Sequence, residues 1–149
     1  QRGYGVSSIV RQINRRMRER LQPNHFLAAN VILINPQQHV LYAWNGTCPT
    51  AYVLSRDGTV NHRVPSAHLP LGVLNDAEFD DSVQLVHVAE TDRAFVCSDG
   101  VTEARNVSGE MFGSRRLEAL LESCTSGDDD QSGFRTRPNL VDCVTGAGC

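Results

Sequence analysis

The chain predicts an α+β domain of antiparallel strands flanked by helices, on three observations. Short apolar runs of strand length recur from Phe26 to Ser98, turn residues punctuate them, and one segment of helical period precedes the strands while another follows. At 149 residues with 40% hydrophobic content the chain is one domain in length and can bury a core.

Ile9, Ile13, Met17 and Leu21 recur every four residues and predict a first helix with an apolar stripe. Arg11, Arg15, Arg16, Arg18 and Arg20 then fall on its exposed sides, as a solvated face or, alternatively, a dock for an acidic partner. Pro23 and Asn24 break the helix, and the apolar run from Phe26 to Ile34, β-branched toward its end, predicts a central strand. Asn35-Pro36-Gln37-Gln38 turns the chain into a second strand from His39 to Trp44, paired with the first as a hairpin and closed by Asn45-Gly46. Trp44 belongs to the core.

Ala51 to Ser55 and Thr59 to Val64 flank Arg56-Asp57-Gly58, a hairpin signal because Asp-Gly tolerates the positive φ of tight primed turns. From Pro65 to Asp81 the chain makes a surface excursion containing Pro70-Leu71-Gly72 and the acidic group Asp76, Glu78, Asp80 and Asp81. Ser82 to Ala89 alternates again, and Glu90-Thr91-Asp92 turns into the strand from Arg93 to Ser98. That strand delivers Asp99, after which Gly100 is expected to turn the backbone sharply. A helix with Leu117, Leu120 and Leu121 on one face follows. Residues 124–149, rich in Gly, Ser, Asp and Thr, read as a polar, poorly ordered tail.

Composition narrows the function classes. There is no apolar run of transmembrane length, and the opening QRGYGVSSIVRQINRR lacks a signal-peptide apolar region, so the expectation is a cytoplasmic protein without a membrane partner. A net charge of −3, with no aromatics among the arginines, gives no reason to expect nucleic acid. Cys48, Cys97, Cys124, Cys143 and Cys149 are irregularly spaced without a CxxC pair and read as reduced thiols. A cysteine-phosphatase mechanism is rejected, because seven residues separate Cys48 from Arg56 and Glu103 stands where Cys97 needs an arginine. Gly3-Tyr4-Gly5 follows no strand and lacks a third glycine, which excludes a dinucleotide loop. The five histidines, His25, His39, His62, His68 and His87, are scattered and read as structural or surface residues.

SDGVTEARN, then GEMFG and a leucine-bearing helix, resembles the late part of the PPM-type metal-dependent serine/threonine phosphatases, in their SpoIIE/RsbU-like branch. Earlier segments agree in order: FLAANVILIN, YAWNG, PTAYVLSRDGTV and SAHLPLGVL. The resemblance implies an antiparallel β-sandwich flanked by helices, and a Mn²⁺- or Mg²⁺-dependent hydrolase with Asp99 as a metal ligand. Hard cations favour oxygen donors, lower the pKa of bound water and neutralise phosphoryl charge. From its residue type alone, before the resemblance is weighed, Asp99 reads first as a turn former beside a glycine. Glu103 and Arg105 are expected to shape the loop that follows.

The resemblance further implies a phosphoserine or phosphothreonine protein as substrate, often an anti-sigma-factor antagonist, and an upstream receiver or other sensor module. The chain departs from the family pattern in its acidic residues. Gly3-Tyr4-Gly5 resembles a remnant of the family's Gly-His-Gly turn, with Tyr4 for histidine, so the aspartate before that turn would precede Gln1. Asp128, Asp129 and Asp130 follow the Leu117 helix too closely to match the late acidic pair. Residues 1–123 are therefore expected to form an incomplete phosphatase domain, with an inactive phosphatase-like adaptor or protein-binding module as the alternative. In that alternative the arginine-rich helix and the acidic loop carry the function.

Overall fold

The first helix, α1 (Val6–Arg20), buries Val6, Val10 and Asn14 rather than the predicted stripe. The stripe is shifted because Asn14 is drawn in by polar partners: its Nδ2 donates to the Leu74 carbonyl at 2.9 Å, and its Oδ1 accepts from the Gly72 N–H at 2.8 Å. Ile13 and Met17 remain half-buried against the same core. The computed structural model describes residues 5–123 and 141–144.

Two compact units emerge. The first comprises the chain up to Cys48 together with Val64–Val88. Its sheet has the order β1-β2-β5, from β1 (Ala29–Asn35), β2 (Val40–Gly46) and β5 (Gln84–His87), and both pairings are antiparallel. The predicted hairpin is present, with Ala29 opposite Gly46 and Asn35 opposite Val40. Its turn is held by Gln38 N–H on Asn35 Oδ1 at 3.2 Å. The strand expected at the centre instead lies at the edge: β1 is half-buried throughout, whereas β2 is buried at all positions but Tyr42. Phe26 and Leu27, the start of the apolar run, stand outside β1 and are exposed.

Asn45-Gly46 does not form a turn either; both residues end β2. Asn45 is buried, donating through Nδ2 to the Val64 carbonyl at 3.1 Å and accepting the Cys48 N–H at 3.1 Å. Gly46 is required by a close approach, since a Cβ there would lie 2.3 Å from Trp44 Cη2. Trp44 is fully buried with Val6, Val10, Leu71 and Phe79, as expected of a core residue. Its indole stacks on His68 with ring centroids 5.1 Å apart, and its Nε1 donates to the Asp80 carbonyl at 3.2 Å.

The second unit comprises Pro49–Arg63 and the chain from Ala89 on. Its sheet has the order β4-β3-β6-β7, from β3 (Ala51–Leu54), β4 (Val60–Val64), β6 (Arg93–Cys97) and β7 (Val141–Val144). β3 and β6 are antiparallel, while β7 runs parallel to β6. β7 falls within the segment read as a polar tail; residues 124–140 and 145–149 lie outside the described residues. The Asp57-Gly58 turn is present in a wider form. Ser55 N–H bonds the Thr59 carbonyl at 2.9 Å, Gly58 alone takes the left-handed region (φ 90°), and Asp57 Oδ1 accepts the Thr59 N–H at 3.0 Å. α3 (Gly113–Ser123) packs Leu117 and Leu121 on Tyr52, Leu54, Val60 and Cys97, but leaves Leu120 about half exposed. With two sheets and flanking helices, the fold is α+β.

Candidate functional site

β6 is anchored in the second core by Cys97, which is buried among Tyr52, Leu54, Val60 and Leu117 as a small hydrophobe. Ser98 leaves the strand with extended backbone angles and caps a single helical turn, α2 (Asp99–Thr102). Val101 pins that turn to the core, and the Asp99 carbonyl accepts the Glu103 N–H at 2.7 Å and the Thr102 hydroxyl at 3.1 Å. Gly100 therefore does not supply the sharp turn expected of it. It lies inside α2, and an added Cβ would meet only Ser98 Oγ at an ordinary 3.6 Å.

Asp99 thus stands exposed at the carboxyl end of β6. Among the described residues, Asp57, Asp76, Asp80, Asp81 and Asp92 each use their carboxylates in hydrogen bonds or ion pairs. Asp57, Asp80 and Asp92 do so within their own turns, as turn formers should. The Asp99 carboxylate has no such partner among the described residues; its turn is held through its backbone carbonyl. The turn-former reading of this side chain therefore lacks the hydrogen bond that would support it.

The loop after α2 is tightly bonded. Arg105 pairs with Met111 as an isolated bridge, and its Nη1 donates to the Gly109 carbonyl at 2.6 Å. Phe112 N–H bonds the Ala104 carbonyl at 2.7 Å, and Asn106 Oδ1 accepts the N–H groups of Ser108 and Glu110. Arg105 shapes the loop as expected, whereas Glu103 contributes its backbone N–H. On α3, Glu118 pairs with Arg63, and that guanidinium holds its carboxyl below the ordinary carboxylate range.

A two-ion centre needs several oxygen ligands per cation. Among the described residues, no group of three or more His, Cys, Asp or Glu side chains stands together. The described residues consequently do not fit such a centre by themselves; Asp99 is one isolated donor. Gly3, Tyr4 and Asp128 to Asp130 lie outside the described residues, as do the side chains of Cys124, Cys143 and Cys149.

The residues favoured by the adaptor reading are also placed. Arg11 Nε bonds Asp81 Oδ2 at 2.8 Å and its Nη1 bonds the Asp76 carbonyl at 2.9 Å, while Arg15 Nε bonds Asp76 Oδ2 at 2.9 Å. The Arg11 hydrogen bond holds the Asp81 carboxyl below its ordinary range. The acidic group that the alternative reading of α1 sought in a partner is supplied in part by the loop of its own unit. The signal for this lay in the sequence as opposite charges on two segments, but nothing in their spacing joined them.

The chain matches the family described as Stage II sporulation protein E (SpoIIE) over residues 1–135. It belongs to the SpoIIE family. Membership of SpoIIE carries a phosphatase-related role in sporulation or signalling, in a family that generally uses Mn²⁺ or Mg²⁺. No curated protein and no solved structure gave a significant match. Among the described residues, no helix is long and apolar enough to cross a membrane.

Proposed function

We propose that this SpoIIE-family domain serves metal-dependent removal of phosphate from phosphoserine or phosphothreonine on a cytoplasmic regulatory protein, such as an anti-sigma-factor antagonist. In this reading Asp99 contributes one oxygen ligand to a Mn²⁺ or Mg²⁺ centre, which needs several. The observation that carries this reading is the exposed Asp99 carboxylate at the end of β6, unbonded where five other aspartates are engaged. A receiver or other sensor module is its proposed regulatory partner. The test is phosphate release from a phosphoserine protein with Mn²⁺ present: activity in the wild type and its loss in Asp99→Asn support the reading, and equal activity in both contradicts it.

A second reading, an inactive phosphatase-like adaptor, is favoured by the absence of a carboxylate cluster among the described residues. It is weakened by the ion pairs that occupy Arg11 and Arg15. Phosphate release in neither protein, together with stable capture of the phosphoprotein, would favour it.

A further inference from the structure

We propose that His68 and Asp80 form a proton-operated latch in the first unit: the imidazole, once protonated, pairs with the Asp80 carboxylate and tightens the turn at residues 79–82 on the core, and loss of the proton releases it. The partners already face each other. The His68 side chain is only 9% exposed, and its ring lies flat on the Trp44 indole with an interplanar angle of 9°. Its Nδ1 stands 3.4 Å from Asp80 Oδ2, within ion-pair reach but without the geometry of a hydrogen bond. The backbone of His68 is fixed as well, its N–H bonding the Asn45 carbonyl at 3.2 Å and its carbonyl accepting the Thr47 hydroxyl at 3.3 Å. A neutral ring can offer Asp80 one uncharged donor, whereas the protonated ring offers a charge-assisted bond of about twice the strength.

Asp80 is held ready for that bond. Its carbonyl accepts Trp44 Nε1 at 3.2 Å, and its Oδ1 accepts the Ser82 N–H at 2.9 Å, which holds the carboxyl below the ordinary carboxylate range. The carboxylate therefore stays charged between about pH 5 and pH 8, where imidazoles exchange their proton, with Oδ2 left toward His68. The residues bonded to the His68 backbone, Asn45 and Thr47, carry no charge, and the nearby Arg11 and Asp81 engage each other at 2.8 Å. Phe79, next to Asp80, packs on Trp44 with ring centroids 5.9 Å apart, and its carbonyl accepts Arg11 Nη2 at 3.4 Å. Proton uptake at His68 is thereby linked through one turn to Trp44 and to α1.

The test is a double-mutant cycle on the full chain, unfolded in urea at about pH 5.5 and about pH 8.5, toward either end of the imidazole range. His68→Phe keeps a ring on Trp44 and removes both nitrogens, while Asp80→Asn keeps an acceptor for Ser82 and removes the charge. With His68 present, Asp80→Asn is expected to lower the urea midpoint more at the acid pH than at the alkaline one, because only the protonated ring carries the charge that Asp80 meets. In the His68→Phe background its effect should be the same at both. The remaining histidines and carboxylates cancel in the cycle. Trp44, the chain's one tryptophan, gives a second readout. Its emission should fall on acidification as the stacked imidazolium quenches it, and His68→Phe should abolish that fall. A coupling that is absent or equal at the two pH values, or wild-type emission that does not respond to pH, would overturn the proposal.

Discussion

Asn14 and Gly72 are joined by a 2.8 Å hydrogen bond that ties the middle of α1 to the Pro70-Leu71-Gly72 segment, with Asn14 fully buried. Gly72 has φ +95°, where a side chain is strained, and its missing Cβ would lie 3.3 Å from Leu21 Cδ1 and 3.4 Å from Met17 Cβ. Asn14→Ala strands the Gly72 N–H and the Leu74 carbonyl together. The expected loss is about 2–4 kcal/mol, because a buried group left without its partner costs more than an average hydrogen bond contributes. Urea unfolding of the variant measures it; a loss below about 0.5 kcal/mol would place the pair among ordinary surface contacts.

Gly46→Ala would drive a methyl group into the Trp44 ring, which has the His68 imidazole stacked on it. Overpacking of this kind costs about 1–3 kcal/mol. Trp44 is the chain's one tryptophan, so its fluorescence reports the displacement directly. The expected result is a red-shifted emission with reduced stability, and an unchanged spectrum would contradict the packing described.

The strands were legible wherever the chain makes local hairpins. Asn35-Pro36 and Asp57-Gly58 mark real turns because their chemistry is contained in a few residues. Long-range polar contacts were not legible. Asn14 lies off the predicted apolar stripe of α1, and its partners Gly72 and Leu74 stand some sixty residues on in the chain. Asn45-Gly46 looked like a turn, but the glycine serves the Trp44 ring two residues back, and no local rule distinguishes that from a hairpin. At the candidate site the position of Asp99 after a strand was readable, whereas its lack of a hydrogen-bond partner was not.

Acid should weaken the first unit through Asp81. Its folded carboxyl is held below the unfolded value, chiefly by the Arg11 hydrogen bond, so the stabilisation is fully present above the ordinary carboxylate range. It is lost as pH falls through the folded value, below about pH 4. In Asp81→Asn the decline in urea midpoint between about pH 6 and pH 3 should be shallower than in the wild type. Parallel declines would show that the Arg11–Asp81 pair adds no pH dependence.

Asp99→Asn should leave the metal-free protein within about 0.5 kcal/mol of wild type, since its exposed carboxylate has no described partner to lose. Thermal unfolding without added metal checks this, and a large loss would mean that the side chain holds its own turn.

The most direct measurement of the central claim is thermal unfolding of wild type and Asp99→Asn with and without Mn²⁺. At a hundred times its dissociation constant, an ion bound only to the folded state stabilises it by about 2.7 kcal/mol, or roughly 5–10 °C for a chain of this size. The account predicts that shift in the wild type and its disappearance in Asp99→Asn. No shift in either protein, or an equal shift in both, would contradict the assignment of Asp99 as a metal ligand.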